Sequence, residues 1–149
     1  AKELSGAAVT AVELHEGAFA FLQKNNEYHE KPVTALKGDA LVPFGMFDCI
    51  VSNPPYITGK EMQELQKEVT FEPETALFGG TDGLDFYRNI AEKWKMALTP
   101  GGKMFFEVGI GQADSVLRIM RAQGFGDLQI IKDLAGIPRV VFGTLCTEI

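Results

Sequence analysis

The chain has 149 residues, 46% of them hydrophobic and 23% charged, with a formal net charge of −6. That length and mixture fit one globular domain with a core, and the absence of any run of about 18 apolar residues excludes a membrane-spanning helix. The lysines at Lys24, Lys31, Lys37, Lys60 and Lys67 are scattered among acids, so no basic face forms and nucleic acid is disfavoured as the main substrate.

No signal-peptide pattern opens the sequence. "VTAVEL" (9–14) is mostly apolar and β-branched and reads as a strand ending in a carboxylate. "EGAFAFLQKNN" (16–26) carries Ala18, Phe19, Phe21 and Leu22 at helical spacing. "VTALKGDA" (33–40) is a second strand, ending at Gly38-Asp39, and "FDCIV" (47–51) a third. Cys49 and Cys146 are isolated thiols and make no disulfide framework, which points to a reducing, cytoplasmic setting.

Residues 60–67 form a polar stretch with helical character, followed by a loop rich in Pro and Gly over 71–83. "LDFYRNIAEKWKMAL" (84–98) places Leu84, Tyr87, Ile90, Ala91, Trp94 and Leu98 on one face of an amphipathic helix. "TPGG" (99–102) carries helix-stop chemistry. "KMFFEVG" (103–109) is a fourth strand and "QADSVLRIMRAQG" (112–124) a further helix with Gly124 just past its end. "LQIIKDL" (128–134) and "RVVFGTL" (139–145) read as two closing strands. Strands alternate with helices throughout, without repeat or linker, so the class is α/β with a mainly parallel sheet in a single domain.

Ligands of open α/β sheets bind outside the carboxyl ends of the strands. Three strand ends here carry polar groups: Glu13, Asp39 and Asn53. A carboxylate there can accept both hydroxyls of a ribose, and a second, one strand over, can reach an adenine amine. After Asn53 come Pro54, Pro55 and Tyr56. The prolines fix φ near −65°, donate no backbone hydrogen bond, and restrict Asn53. Their carbonyls stay free as acceptors beside the Asn53 amide and the flat Tyr56 ring. Such a notch suits a planar group bearing NH₂. Amide and exocyclic amine nitrogens are poor nucleophiles, so holding one in line with a methyl donor supplies most of the catalysis, about 7–11 kcal/mol. No general base is needed before attack, because the proton becomes acidic only as the methyl arrives.

These residues, together with "FEPETALFGGTDGLDFYRNI" (71–90), "LTPGG" (98–102), "FEVGIGQADSV" (106–116), "GF" at Gly124-Phe125 and "DLAGIPRVVFG" (133–143), resemble the release-factor glutamine methyltransferase family. That family lies among the class I S-adenosylmethionine-dependent methyltransferases, and the resemblance covers nearly the whole chain. "NPPY" alone is shared with N6-adenine and N2-guanine methyltransferases; the flanking segments are more specific. The resemblance implies a Rossmann-like sheet closed by an antiparallel C-terminal strand. It implies S-adenosyl-L-methionine as methyl donor, and as substrate the glutamine of the Gly-Gly-Gln motif in peptide-chain release factors, methylated on its amide N5. Asn53 and the Pro54 carbonyl would hold that amide, with Pro55 stiffening the corner and Tyr56 packing beside it. Glu13 matches the family's acid on the cofactor ribose, and Asp39 and Ala40 the segment bordering adenine, where some members carry a larger aromatic residue than Ala40. Glu72, Pro73 and the loop 79–83 would line the substrate side.

The family's first strand, Gly-rich loop and N-terminal helical domain have no counterpart in these 149 residues, which resemble a C-terminal piece of an enzyme. In this fold the first strand lies between those ending at Glu13 and Asn53. The expectation is weak or no cofactor binding by this chain alone, and an unpaired gap in the sheet.

His15 and His29 lack metal-like spacing, and no metal site is expected. "GIGQ" (109–112) lacks the Lys-Ser/Thr of a P-loop and reads as a strand-to-helix turn. Trp94, Phe105 and Phe106 read as core, and Asp82 and Asp85 as caps of the helix from Leu84. Two rival functions remain open at this point. One is a nucleic-acid amine methyltransferase using the same notch; the other is a non-catalytic fragment that binds release factors without the cofactor.

Overall fold

The computed structural model describes residues 6–30, 33–64 and 73–146, which divide into two compact units at Val42/Pro43.

The first unit is a β-α-β element: β1 (Thr10–Glu13), α1 (Glu16–Tyr28) and β2 (Thr34–Lys37). The strands pair in parallel, Thr10 with Thr34 through Glu13 with Lys37, as a crossover through a helix requires. The Asn26 side chain fixes the return. Its Nδ2 donates to the Val33 carbonyl at 2.8 Å, and its Oδ1 accepts from the Val33 N–H at 2.7 Å. Lys37 forms an ion pair with Glu16.

The second unit holds β3 (Phe47–Ser52), a short helix α2 (Glu74–Leu77), α3 (Asp85–Trp94), β4 (Leu98–Glu107), α4 (Ala113–Ala122), β5 (Phe125–Lys132) and β6 (Pro138–Leu145). Its sheet runs β3-β4-β6-β5. β3 lies parallel to β4, whereas β6 is antiparallel to both β4 and β5. The α/β class and antiparallel close therefore hold, within a mixed sheet. The core gathers Tyr87, Ile90, Ala91 and Trp94 of α3, Val116 and Met120 of α4, and Met104, Phe106 and Val141 of the sheet. The helical period of the 84–98 pattern thus marks a buried face, as expected. Trp94 stands edge-on to Phe44, centroids 5.3 Å apart. Phe105 is half-buried on the other side of the strand, stacked on Phe142 at 4.8 Å.

Some boundaries differ from the sequence reading. The helix from 84 ends at Trp94, tightens into a 3₁₀ turn over Lys95–Ala97, and Leu98 already belongs to β4. "TPGG" is therefore a bulge within a strand. Phe47 pairs with Leu98 and Cys49 with Lys103, so five steps of β4 face two of β3. Gly101, at φ +75°, supplies the left-handed residue such a bulge needs, and Thr99 Oγ1 donates to Asp48 Oδ1 at 2.9 Å. The stretch 60–67 contains a 3₁₀ turn over Glu61–Glu64; 65–67 lie outside the described residues, as do Phe71 and Glu72. Asp82 accepts from the Leu84 N–H at 3.1 Å, ahead of α3, while Asp85 pairs with Arg88.

Candidate active site

The polar strand ends sit where the parallel ladders put them. In the first unit Glu13 closes β1 opposite Lys37, and the Gly38 N–H donates to the Glu13 carbonyl at 3.0 Å. Asp39 follows at the same end of the sheet. One carboxylate oxygen of each residue orders its own turn: Glu13 Oε1 accepts from the His15 N–H at 2.7 Å, and Asp39 Oδ1 from the Leu41 N–H at 2.8 Å. A carboxylate has room for about four acceptor contacts, so both retain capacity for hydroxyl or amine donors. Glu13 is half-buried; Asp39 and Ala40 are exposed. This donor set fits a nucleoside: two anionic acceptors on adjacent parallel strands, at the carboxyl end. His15, beside Glu13, and His29, past α1, stand apart, and among the described residues no cluster suits a metal ion.

In the second unit Ser52 pairs with Phe106, so the chain leaves β3 beside the end of β4. Asn53 is exposed, Pro54 is buried, and Pro55 and Tyr56 are half-buried. The Asn53 side chain and the Pro54 and Pro55 carbonyls take no hydrogen bond from any described residue. The next two carbonyls, in contrast, are both used. Tyr56 O accepts from Gln112 Nε2 at 3.0 Å, and Ile57 O from the Gly79 N–H at 2.9 Å. The Ile57 N–H returns a bond to Leu77 O at 2.9 Å, so Ile57 bridges in parallel to Phe78. Thr58 and Glu61 then form a capping box. Glu61 Oε2 accepts from the Thr58 N–H at 2.9 Å and Oγ1 at 2.7 Å, and Thr58 Oγ1 accepts from the Glu61 N–H at 3.3 Å. The Thr58 backbone bond, followed by its hydroxyl, holds the Glu61 carboxyl below its ordinary range.

Three glycines let other segments close on the corner. A Cβ on Gly79 would lie 2.6 Å from Tyr56 Cα, one on Gly83 2.4 Å from Tyr56 O, and one on Gly109 2.9 Å from Tyr56 Cδ2. Gly79 and Gly83 come from the loop assigned to the substrate side; they press on the backbone of Tyr56. Gln112 and the Thr58–Glu61 box escaped the sequence reading. The box is visible as Thr-x-x-Glu, and Gln112 only as the fourth residue of "GIGQ".

No family model matches the chain. It is 47% identical over 148 residues to the release factor glutamine methyltransferase of Geobacter sulfurreducens, a match covering 97% of this chain and 52% of the relative. Over nearly its whole length the chain is similar to members of the release factor glutamine methyltransferase family. It spans about half the length of the curated family members it matches. A solved member described as a release factor-specific protein-(glutamine-N5) methyltransferase, from Alicyclobacillus acidocaldarius, superposes with a TM-score of 0.53 at 28% identity, over 96% of this chain and 82% of that one. A methyltransferase structure from Pyrococcus furiosus reaches a TM-score of 0.71 at 22% identity, over 94% of this chain and 64% of that one, a likeness of fold. The family's fold is thus the Rossmann-like methyltransferase fold that the sequence implies.

Proposed function

We propose that the protein carrying this chain methylates the side-chain amide nitrogen (N5) of the glutamine in the Gly-Gly-Gln motif of peptide-chain release factors. S-adenosyl-L-methionine, when bound, supplies the electrophilic methyl group. Within this chain, Glu13 would accept the ribose hydroxyls, and Asp39 with Ala40 would border the adenine. The Asn53 carbonyl and the Pro54 carbonyl hold the two N–H bonds of the substrate amide, Pro55 keeps that backbone from relaxing, and Tyr56 walls one side. Gly79 to Gly83 back the corner. One observation carries the reading: the exposed Asn53 amide stands next to the Pro54 carbonyl, which accepts from no described residue, at a strand's carboxyl end, in a chain 47% identical over 148 residues to a release factor glutamine methyltransferase.

The setting is cytoplasmic, in keeping with the free thiols of Cys49 and Cys146. Among the described residues no helix is long and apolar enough to cross a membrane. We read the two compact units of the 149 residues as parts of one partial catalytic domain, with no direct nucleic-acid substrate expected.

The test is a methylation assay on the natural-length protein, offered a release factor, the same factor with its motif glutamine changed to alanine, RNA and DNA. Methyl incorporation is expected only in the intact factor. Asn53→Ala should lower kcat by about 10²-fold, the scale for losing one positioned hydrogen-bonding group. Undiminished turnover by Asn53→Ala would falsify the acceptor role, and preferential labelling of RNA or DNA would move the protein to the amine methyltransferases.

A further inference from the structure

The corner at Asn53, Pro54 and Pro55 leaves the ladder of β3 with β4, and backbone hydrogen bonds resume only at Ile57. Proline supplies local stiffness but does not fix where the corner sits relative to β4. A side chain 56 residues away supplies that constraint. Gln112 lies immediately before α4 and is anchored there, its N–H donating to Gly109 O at 3.1 Å and its own carbonyl accepting from the Ser115 and Val116 N–H groups at 3.0 Å. Its carboxamide then reaches across. Nε2 donates to Tyr56 O at 3.0 Å and faces Gly83 O at 3.4 Å. Oε1 accepts from the Gly109 N–H at 3.2 Å and faces the Tyr87 hydroxyl at 3.4 Å. The amide orientation follows from these partners: two carbonyls on one side demand a donor, and a backbone N–H on the other demands an acceptor.

We propose that Gln112 is the positioning residue of the methyl-transfer site: its carboxamide ties the Tyr56 carbonyl to the β4–α4 turn and so sets the placement of the Asn53, Pro54 and Pro55 acceptors. The proposal rests on the glutamine methyltransferase reading of that corner. Three features make it more than packing. The tie engages the first carbonyl after the three free acceptors, so slack there passes directly to them. It joins the β4–α4 turn to two distant segments, at Tyr56 and at Gly83 to Tyr87. And a Cβ at Gly79 or Gly83 would strike the backbone of Tyr56, so those segments pack directly against the corner that Gln112 holds. In-line attack tolerates little error; a misplacement of about 1 Å can cost about 10²-fold in rate.

The experiment compares natural-length wild-type protein, Gln112→Glu and Gln112→Met on a release factor with S-adenosyl-L-methionine. Glu keeps the acceptor for Gly109 but turns an anion toward two carbonyls; Met keeps the length, loses both functions, and avoids burying a charge. Both variants should lower kcat about tenfold or more, while KM for S-adenosyl-L-methionine moves less than about twofold, since the hydrogen bonds of the Gln112 carboxamide go to Tyr56, Gly83, Tyr87 and Gly109. Hydrogen exchange should quicken at the Ile57 and Gly79 amides and stay unchanged along α4. Gln112→Met that folds and retains wild-type kcat overturns the proposal, as does a kcat loss matched by an equal rise in KM. If wild type itself leaves the glutamine unmodified, it is the reading of the site that fails, and the proposal with it.

Discussion

The Tyr87 hydroxyl donates to the backbone carbonyl of Glu107 at 3.1 Å, tying α3 to the carboxyl end of β4. Its ring stands edge-on to Phe106, centroids 5.4 Å apart at 86°. The phenol is buried, and burial raises its pKa well above the ordinary 10.0. The consequence for stability has a definite sign. Unfolded chain gives up this proton near 10, whereas folded chain keeps it to higher pH. Stability that is complete below pH 10 is therefore lost as pH rises further. Tyr87→Phe should cost about 0.5–1.5 kcal/mol at neutral pH through the lost hydrogen bond, and should flatten the alkaline decline. Urea unfolding at neutral pH and near pH 11 measures both; a decline equally steep in wild type and variant would show that Tyr87 is not its source.

Gly79 and Gly17 make opposite predictions for the same substitution. A methyl group on Gly79 would meet Tyr56 Cα at 2.6 Å and Pro55 O at 2.7 Å, both backbone atoms that cannot rotate away. Gly79→Ala should destabilise by about 1–3 kcal/mol through overpacking. It should also depress methyl transfer, because the atoms displaced belong to the acceptor corner. Gly17 lies in α1 with nothing within 4 Å and an ordinary φ, so Gly17→Ala should stabilise by about 0.4–1 kcal/mol. Thermal denaturation of the two variants should shift in opposite directions. A Gly79→Ala protein as stable and active as wild type would mean that the corner has slack.

What the sequence disclosed and what it concealed divide along local and non-local lines. The apolar face of 84–98, Gly124 past α4 and the strand-end acids are each written within a few residues, and each lies where the pattern puts it. "TPGG" misled because helix-stop chemistry and bulge chemistry use the same residues. Only the Phe47–Leu98 pairing, across 51 positions, decides between them. Asn53, Pro54 and Pro55 could be read as candidate acceptors because proline fixes its own backbone. Gln112 was not legible as their anchor, since its partner Tyr56 is 56 residues distant and glutamine has no local role that advertises one.

The β5–β6 turn depends on one carboxylate. Asp133 Oδ1 accepts from the Ala135 N–H at 2.9 Å and the Ile137 N–H at 3.0 Å, while Oδ2 accepts from Arg139 Nε at 3.2 Å. The Ile137 N–H above all, and after it Arg139 and the Ala135 N–H, hold this carboxyl below its ordinary 3.8. A depressed folded-state pKa contributes stability that is present above 3.8 and lost as pH falls through the lower, folded value. The Ala135 and Ile137 amides should thus lose exchange protection on acidification below about pH 4, ahead of the Phe106–Val141 ladder. Asp133→Ala should produce that loosening already at neutral pH, and Asp133→Asn should fall between, keeping an acceptor but losing the Arg139 ion pair. Amide exchange followed by NMR separates the cases. Protection of both amides in Asp133→Ala equal to wild type would place the turn's stability in its backbone bonds, Asp133 N–H to Ile137 O at 2.8 Å and Gly136 N–H to Asp133 O at 3.0 Å, and not in the side chain.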